Sequence, residues 1–366
     1  MDTSRSIRVR ERLLELTQDR YTDTRALRED IVAVLRRAVP FDAWCWACVD
    51  PETLLLASGV GDSPAAADIV RFIDLEYGAP DGSDRMLAST GGRGPATSVL
   101  SEITGGDLLC SARWREVYER CGVGDELRVA LVADGYCWGL LEMVRDRTGR
   151  HFTADEADFV LRLGTPMARA LRSALTAVSS PATDAPWGPG ILVLDRRGTI
   201  GATTPEADAW LALIHANAIP IEALFPAPAA VLAVAARLRS TPEGPGPVST
   251  GAESSPRVRV RMADGHWLAV HATRLTGTAT PPGSVAVTIQ AAGVADVAPL
   301  VFHAHGLTPR QRELARLLLA GLPNSEIARQ LYISPHTVGD HVKAVLDKLG
   351  VHSKRELVAG ILSQQL

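Results

Sequence analysis

The stretch that most constrains this chain is ISPHTVGDHVKAVLDKLGV, at residues 333–351. At about 100° per residue, its large apolar side chains fall within an arc of roughly 100°, the width of a stripe that faces a protein core. These side chains are Val338, Val342, Val345, Leu346 and Leu349. The opposite side carries His336, Thr337, Asp340, Lys343, Ala344 and Asp347. The pattern predicts a helix that packs by one face and presents the other to a polar partner.

Helix start and stop signals divide residues 307–366 into four short helices. The first begins with a capping box from Thr308 to Gln311 and ends at Gly321. The other starts are expected at Asn324 or Ser325, at Ser334-Pro335, and at the capping box of Ser353 and Glu356. Two helices joined by a tight turn, the second with a polar outer face, predict a helix-turn-helix unit.

The segments LTPRQRE, GLPNSEIARQLYIS and HTVGDHVKAVLDKLGV, with their spacing, resemble the C-terminal domain of LuxR-type transcriptional regulators over residues 307–362. The resemblance implies that double-stranded DNA is a partner, with the polar helix in the major groove, where base edges are distinguishable. It also implies a homodimer on twofold-symmetric DNA, with Val358, Ile361 and Leu362 of the fourth helix as the pairing surface. Core packing against the first helix is the alternative for these three residues.

The resemblance assigns roles to individual side chains. Thr337 and Lys348 would contact phosphates, and Gly339, Asp340 and Lys343 would face bases. Lys343 can donate to guanine O6 or N7, and Asp340 can accept from a cytosine N4 amine. Further candidates for DNA contact are His336 on the same polar face and, for backbone contacts, Arg310, Arg329 and Arg355. Many family members carry lysine at the position of Gly339, so the DNA sequence preferred by this chain is open.

Charge is distributed unevenly along the chain. Residues 307–366 hold eight Lys and Arg against five Asp and Glu, while the rest of the chain holds 30 against 37. A basic end on an acidic body favours nucleic-acid binding by that end. The charged N-terminus lacks the apolar core of a signal peptide, and the longest uncharged apolar stretch, 223–236, is too short for a bilayer. We therefore expect a cytoplasmic protein without a membrane partner.

The first three hundred residues predict a multidomain front of α+β sensor domains before the all-α four-helix domain at 301–366. Helices at 1–40 are followed at 41–180 by strands, an Asp134-Gly135 hairpin and a capped helix from Thr153, which resemble a GAF-type sensor domain. After the linker PATDAPWGPG, residues 187–293 resemble a PAS-type domain, with strands that turn at Asp264-Gly265. A flexible loop is expected at 240–256.

Nothing in the front predicts a cofactor or a metal. The sequence shows no P-loop, dinucleotide fingerprint or metal-ligand spacing, and the PAS-like segment has no cysteine for a flavin adduct. Cys45 and Cys48 lie three apart on a predicted strand and face opposite sides, which disfavours a shared metal or a disulfide. The candidates for an apolar ligand pocket are aromatic, with ordinary core packing as the alternative: Trp44, Trp46, Tyr136 and Trp138.

These patterns favour a sequence-specific DNA-binding transcriptional regulator, not an enzyme, whose front domains modulate DNA binding. The input would be a small-molecule or protein effector, and RNA polymerase is a further expected partner. An enzymatic front or a pure protein-interaction front, each with a DNA-binding tail, are the alternatives. The absence of a nucleophile–base or metal constellation argues against the enzymatic one.

Overall fold

The structure is a computed structural model. It describes residues 3–19, 21–78, 96–177, 188–216, 225–241, 255–262, 264–275, 281 and 283–363. Most of the linker predicted at 181–190 and of the loop predicted at 240–256 lies outside these residues. The described chain forms two antiparallel five-stranded sheets with helices, followed by a helical C-terminal part.

The first sheet has the strand order β2-β1-β5-β4-β3. Its strands are β1 (Ala43–Val49), β2 (Leu56–Gly61), β3 (Ala96–Val99), β4 (Val123–Ala133) and β5 (Tyr136–Asp146). Its helices are α1 (Thr3–Gln18), α2 (Thr24–Leu35), α3 (Ile69–Gly78), the single turn α4 (Leu100–Ile103) and α5 (Ala154–Leu175), with a 3₁₀ turn at Pro64–Asp68.

Two local predictions in this sheet are confirmed. Ala133 pairs with Tyr136, and the residues between them, Asp134 and Gly135, have φ of 52° and 82°, as a tight hairpin turn requires. Thr153 and Glu156 form the capping box that opens α5. Each signal is local, because it depends on residues within one turn of chain.

The pattern ARWREVYERC, at residues 112–121, predicts a helix, and the structure gives this segment a different form. The segment is a π-helical turn, Trp114–Tyr118, followed by a 3₁₀ turn, Glu119–Cys121. The indole Nε1 of Trp114 donates to the carbonyl of Val123 at 3.0 Å, and Gly122 takes the left-handed conformation at φ 72°. These tertiary constraints replace a regular α-helix by two short irregular turns.

The second sheet repeats the order of the first. Its order is β7-β6-β10-β9-β8, which is again second, first, fifth, fourth and third along the chain. The strands are β6 (Gly190–Leu194), β7 (Ile200–Thr203), β8 (Arg257–Arg261), β9 (Trp267–Arg274) and β10 (Val285–Ala291). Two helices, α6 (Pro205–Ala216) and α7 (Ala229–Ser240), lie between β7 and β8 in the chain.

Helices cover both faces of the first sheet. Trp46 and Trp138 are fully buried with apolar residues of α1, α2 and α5 on one face. On the other face α3 packs against α7, which together with the second sheet belongs to a second α+β unit. Buried apolar residues are therefore shared between the two units. The N-terminal helices, expected as a segment of their own at 1–40, therefore pack as part of the first α+β unit.

Five helices complete the chain: α8 (Val294–Ala304), α9 (Pro309–Leu319), α10 (Asn324–Leu331), α11 (Pro335–Leu349) and α12 (Lys354–Ser363). Helix α8 runs across residue 301, the expected start of the last domain, and packs against both α9 and α12. Among the described residues, no helix has the length and apolar character needed to cross a membrane.

Candidate nucleic-acid interface

Helix α11 is held by the apolar stripe that the sequence predicts. Val338 and Val345 are fully buried, and Val342, Leu346 and Leu349 are partly buried against the same core. The helix packs on α9 and α10, whose inward side chains include Leu314, Ile327 and Leu331. Burying one face of α11 leaves the opposite face turned to solvent.

The ends of α11 are fixed by local hydrogen bonds. The hydroxyl of Ser334 accepts from the backbone N–H of Thr337 at 3.1 Å, which confirms the predicted start. Gly350 ends the helix in the left-handed conformation, with φ of 68°. The solvent-facing side of α11 therefore begins at a fixed position in the chain.

Helix α10 starts differently from the prediction. The N-cap position is Pro323, which has no side-chain capping bond, and Asn324 is already the first helical residue. The prediction that Asn324 or Ser325 caps this helix was wrong, because the extended backbone of Pro323 itself turns the chain into the helix. Both polar residues are exposed at the N-terminus of α10.

Tyr332, in the turn between α10 and α11, is not among the residues that the sequence predicts for the site. This residue ends α10 with a left-handed φ of 53°, and its side chain is 96% exposed. A non-glycine residue in that conformation is uncommon, and an aromatic ring so exposed on a helix-turn-helix unit is available for contact. The sequence could have indicated this residue, because the short turn between the two helices contains no glycine that could take the left-handed conformation.

The exposed face of α11 carries most of the predicted base-facing residues. His336, Gly339, Asp340 and Lys343 are exposed, and Thr337 is partly buried. Nδ1 of His336 lies 3.2 Å from Oδ2 of Asp340, one helical turn away. A Cβ added to Gly339 would meet no atom within 4 Å, so the glycine leaves a gap in the middle of this face.

Lys348, predicted to contact phosphate, makes contacts within the domain. Its Nζ donates to the carbonyl of Gly306 at 3.1 Å and to Oε1 of Gln311 at 3.0 Å. Gln311 also closes the capping box of α9 with Thr308. Lys348 thus ties the end of α11 to the start of α9, and DNA contact would require its ammonium to exchange these acceptors for phosphate oxygens.

The three arginines proposed for backbone contacts differ in their surroundings. Arg310 bonds Glu313 at 2.7 Å and the carbonyl of Leu331, so it links α9 to the end of α10. Arg329 pairs with Glu326 at 2.6 Å, and the hydrogen bonds from Arg329 and Gln330 lower the pKa of Glu326 to about 2. Arg355 is exposed at the start of α12.

The face expected for pairing two subunits is partly covered. Ile361 of α12 is 2% exposed and lies in the core that α12 shares with α8, while Val358 is partly buried. For Ile361 the alternative of core packing holds and a place on the pairing surface does not, because α8 adds a packing surface to that of α9, the first of the four predicted helices. The side chain of Leu362 lies outside the described residues.

The C-terminal helices also contact the two sheets. His303 of α8 stacks on Tyr136 of the β4–β5 hairpin, with ring centroids 4.0 Å apart. Burial and the nearby charges of Arg312, Arg259 and Arg316 lower the pKa of His303 to about 4, so the ring is neutral at pH 7. Arg316 of α9 bonds Glu52, in the loop after β1, at 3.1 Å.

The aromatic candidates for a ligand pocket lie away from the cavity of the first unit. Trp46 and Trp138 belong to the core on the sheet face that α1, α2 and α5 cover, and Trp44 and Tyr136 are partly buried against it. The cavity lies on the opposite face, between the sheet and the segment from Pro64–Asp68 through α3, and none of these four residues lines it. Cys45 lines the cavity and Cys48 faces the other core, which confirms their opposite orientation.

In the part of the chain that the structure describes, no group of three or more His, Cys, Asp or Glu side chains is placed to hold a metal ion. All five cysteines, including the exposed Cys110, are free thiols.

Comparison with known proteins identifies the helical C-terminus. Residues 305–360 match the family model described as bacterial regulatory proteins, luxR family. An HTH-type transcriptional regulator of Mycobacterium tuberculosis (strain ATCC 25618 / H37Rv) is 46% identical over 52 residues, which are 14% of this chain and 6% of that protein. The nitrate/nitrite response regulator protein NarL of Escherichia coli (strain K12) is 40% identical over 60 residues, which are 16% of this chain and 28% of NarL.

Among solved structures, Escherichia coli SdiA matches over 98% of this chain and 98% of its own, at 11% sequence identity and a TM-score of 0.33. The two curated relatives are matched over 6% and 28% of their own lengths, well under two thirds. The family-model match, at residues 305–360, covers α11 and the helices that pack around it. The C-terminal part of the chain is therefore a LuxR-type helix-turn-helix domain, shared with relatives that are named as regulators.

Proposed function

We propose that this protein is a sequence-specific DNA-binding transcriptional regulator whose front units modulate DNA binding. The observation that carries the proposal is the geometry of α11 within a LuxR-type domain. One face of this helix is buried to hold it in place, and the other exposes Gly339, Asp340 and Lys343. An α-helix presented in this way fits the major groove of B-DNA.

We assign the residue roles from the resemblance to the LuxR-type domain and from the exposure of each side chain. Lys343 and Asp340, exposed at the middle of the face, contact base edges, and Thr337 near the N-terminus of α11 contacts phosphate. His336, Arg329 and Arg355 are exposed and add contacts around this centre. Arg310 and Lys348 act mainly by fixing the helices relative to one another, since both are engaged by acceptors within the domain.

We assign the front of the chain to two sensor units, GAF-like at 41–180 and PAS-like at 187–293. The support is the repeated strand order of the two sheets, which is what two structurally related α+β modules in tandem would give. The contacts of Glu52 and Tyr136 with α8 and α9 give such units a physical route to the DNA-binding domain. On DNA the protein acts as a homodimer, matching two half-sites, and engages RNA polymerase.

A selection from randomised DNA tests this function. The full chain is incubated with random duplexes at two salt concentrations, and the retained duplexes are sequenced. An enriched inverted repeat, bound less tightly at high salt, is expected. Lys343→Ala should abolish the enrichment, while the matched control Lys354→Ala, a lysine of α12 in the same domain, should preserve it. Retention without a motif, or equal loss in both variants, would contradict the proposal.

A further inference from the structure

The first sheet carries a cavity on the face opposite its buried tryptophans. The cavity has a volume of about 70 Å³ and is lined by apolar side chains of β1, β2 and α3, with Phe225 and Ala229 of the second unit closing one side. The charged residues in its wall, within the described part of the chain, are Glu76, Arg128 and Glu142. A mostly apolar cavity with a few convergent polar groups is the usual form of a small-molecule site.

The buried carboxylates around the cavity differ in whether an arginine pairs with them. Arg128 of β4 pairs with Glu76 of α3 at 2.5 Å, and Arg113 pairs with Glu126 of β4 at 2.9 Å. Tyr118 adds a hydrogen bond to Glu126 at 2.7 Å. Glu142 of β5 accepts instead from a neutral group, because the hydroxyl of Ser63 donates to its Oε1 at 2.8 Å.

Among the described residues, the five ionisable groups of this cluster hold one more carboxylate than guanidinium groups. Three carboxylates (Glu76, Glu126 and Glu142) face two guanidinium groups (Arg113 and Arg128), which leaves −1 when all are ionised. Glu142 is 4% exposed. Burial raises its pKa, the charge of Glu126 raises it further, and Arg128, Ser63 and Arg113 lower it, with a resulting pKa of about 7.

The charge of a ligand decides how it interacts with these buried carboxylates and guanidinium groups. An anion would face Glu142 and the surplus negative charge, and a neutral apolar ligand would leave a buried carboxyl without a counter-charge. A cationic nitrogen beside Glu142 would give this carboxylate a positive partner of its own and leave the apolar walls for the hydrocarbon part of the ligand. The surroundings of Glu142 thus select for positive charge.

We propose that this cavity binds a small amine with a short hydrocarbon body, with the carboxylate of Glu142 as the partner of its ammonium group and Ser63 beside it. The size follows from the volume, since each water-sized sphere takes about 10–15 Å³ and the cavity therefore holds a ligand of only about five heavy atoms. The regulatory meaning of this site rests on the function proposed above, but amine binding itself does not.

The position of the cavity suggests how occupancy reaches the DNA-binding domain. Strands β1 and β2 form part of its wall and are joined by the loop that carries Asp50 and Glu52. Asp50 holds Arg259 of the second sheet at 2.5 Å, and Glu52 holds Arg316 of α9 at 3.1 Å. A ligand that shifts β1 against β2 would bias both contacts.

The test compares three probes of equal chain length on the full protein: butylamine, butan-1-ol and butyrate. Binding is measured by ligand-observed NMR at pH 7.5. Butylamine is expected to bind at least tenfold more tightly than either of the others, and this preference should disappear in Glu142→Gln. The control Glu102→Gln, an exposed carboxylate of the same unit, should keep it.

Two further results decide the proposal. Ala47→Leu, which fills the cavity and leaves every charge in place, should abolish binding of butylamine. Equal binding of the three probes to the wild-type chain would overturn the proposal without reference to any variant, as would unchanged amine preference in a folded Glu142→Gln protein. The DNA selection is scored separately, so its failure leaves the amine result standing, and failure of the amine preference leaves DNA binding standing.

Discussion

At the scale of single residues, Gly339 is the clearest departure from what a recognition helix needs. It lies in the exposed middle of α11, and the space beside it is empty. Glycine in a helix interior costs about 1 kcal/mol relative to alanine. We predict that Gly339→Ala slows hydrogen exchange of the α11 amides in the full chain by roughly fivefold, equivalent to about 1 kcal/mol. Faster exchange would show that the glycine serves a conformation that alanine disturbs.

The same position tests the orientation of α11 on DNA. Gly339→Lys places a cation beside Lys343 on the exposed face, and one added phosphate contact should steepen the dependence of log affinity on log salt by about 0.9. Affinity measured at several salt concentrations checks this. A salt dependence identical to that of the wild type would mean that residue 339 points away from the duplex.

The buried carboxyl of Glu142 predicts how the free energy of unfolding depends on pH. The folded state holds its proton up to a pKa of about 7, whereas an unperturbed glutamate releases it near 4.5. The unfolded chain therefore binds fewer protons within this window, and the free energy of unfolding falls as pH rises from 4.5 to 7. The contribution is at most about 3 kcal/mol. Glu142→Gln should remove this part of the pH dependence and raise the thermal midpoint at pH 7.5, whereas Glu102→Gln should change neither.

The spacing of residues in the sequence predicted on which face of a helix or strand a side chain lies, but it did not predict which residues that side chain contacts. The 3.6-residue period placed Val338 and Val345 inside and Asp340 and Lys343 outside, and strand alternation separated Cys45 from Cys48. The partner of Lys348 was not predictable, because Gly306 and Gln311 come close only when α9 folds against α11. For the same reason, Glu142 and its buried neighbours did not stand out: they lie on separate elements and meet only in the folded sheet.

At the scale of secondary-structure elements, α11 depends on its first turn. Ser334 accepts from the N–H of Thr337, and removing an N-cap hydroxyl costs about 0.5–2 kcal/mol. We predict that Ser334→Ala frays the turn that carries His336 and Thr337 and weakens DNA binding several-fold. Titration of a bound duplex measures the effect.

A matched control exists one helix later. Ser353 caps α12 by accepting from the N–H of Glu356 at 3.1 Å, in a geometry like that of Ser334. Ser353→Ala should cost similar stability while leaving DNA affinity nearly unchanged. Equal losses of affinity in the two variants would mean that general stability, and not the first turn of α11, limits binding.

Elements marked by local signals were predictable, and their pairing was not. The hairpin at Asp134-Gly135, the box at Thr153 and the turn at Gly265 each depend on a few neighbouring residues. The strand order of the two sheets depends on contacts between β1 and β5, almost a hundred residues apart, and no local pattern encodes that choice. Irregular turns such as Trp114–Tyr118 were missed because tertiary hydrogen bonds shape them.

At the scale of the whole molecule, one buried ion pair joins three parts of the chain. Arg259 of the second sheet bonds both carboxylate oxygens of Asp50 from the first sheet, at 2.7 and 2.5 Å, and donates to the carbonyl of Asp296 in α8. Burial raises the pKa of Asp50, but the charge and hydrogen bonds of Arg259 outweigh it and hold the pKa below its ordinary value. Stability from this pair is present above the ordinary pKa and is lost as pH falls through the lowered one.

Breaking this pair from one side leaves the buried Arg259 with only the partly exposed Glu52 as a counter-charge, at 3.2 Å. Because Glu52 remains beside Arg259, Asp50→Asn is predicted to destabilise the contact between the two sheets by about 2–3 kcal/mol, less than the loss for a buried charge left with no partner. Arg316→Ala, which removes a half-exposed partner of Glu52, should cost less than about 1 kcal/mol. Denaturant unfolding followed by hydrogen exchange in both sheets separates the two cases, and comparable losses in the two variants would contradict the importance given to the buried pair.

The positions of the lysines allow the proposed DNA-binding face to be tested in the intact protein. The chain of 366 residues has three lysines, Lys343, Lys348 and Lys354, all in the last domain. Only Lys343 lies at the middle of the exposed face of α11, while Nζ of Lys348 is already hydrogen-bonded to Gly306 and Gln311. An amine-reactive reagent should therefore label Lys343 faster than Lys348 in the free protein. Specific DNA should protect Lys343 at least tenfold and leave Lys354 nearly unchanged. Equal protection of Lys343 and Lys354 would place the duplex on a different surface, because a helix lying in the major groove shields one of these amines and not the other.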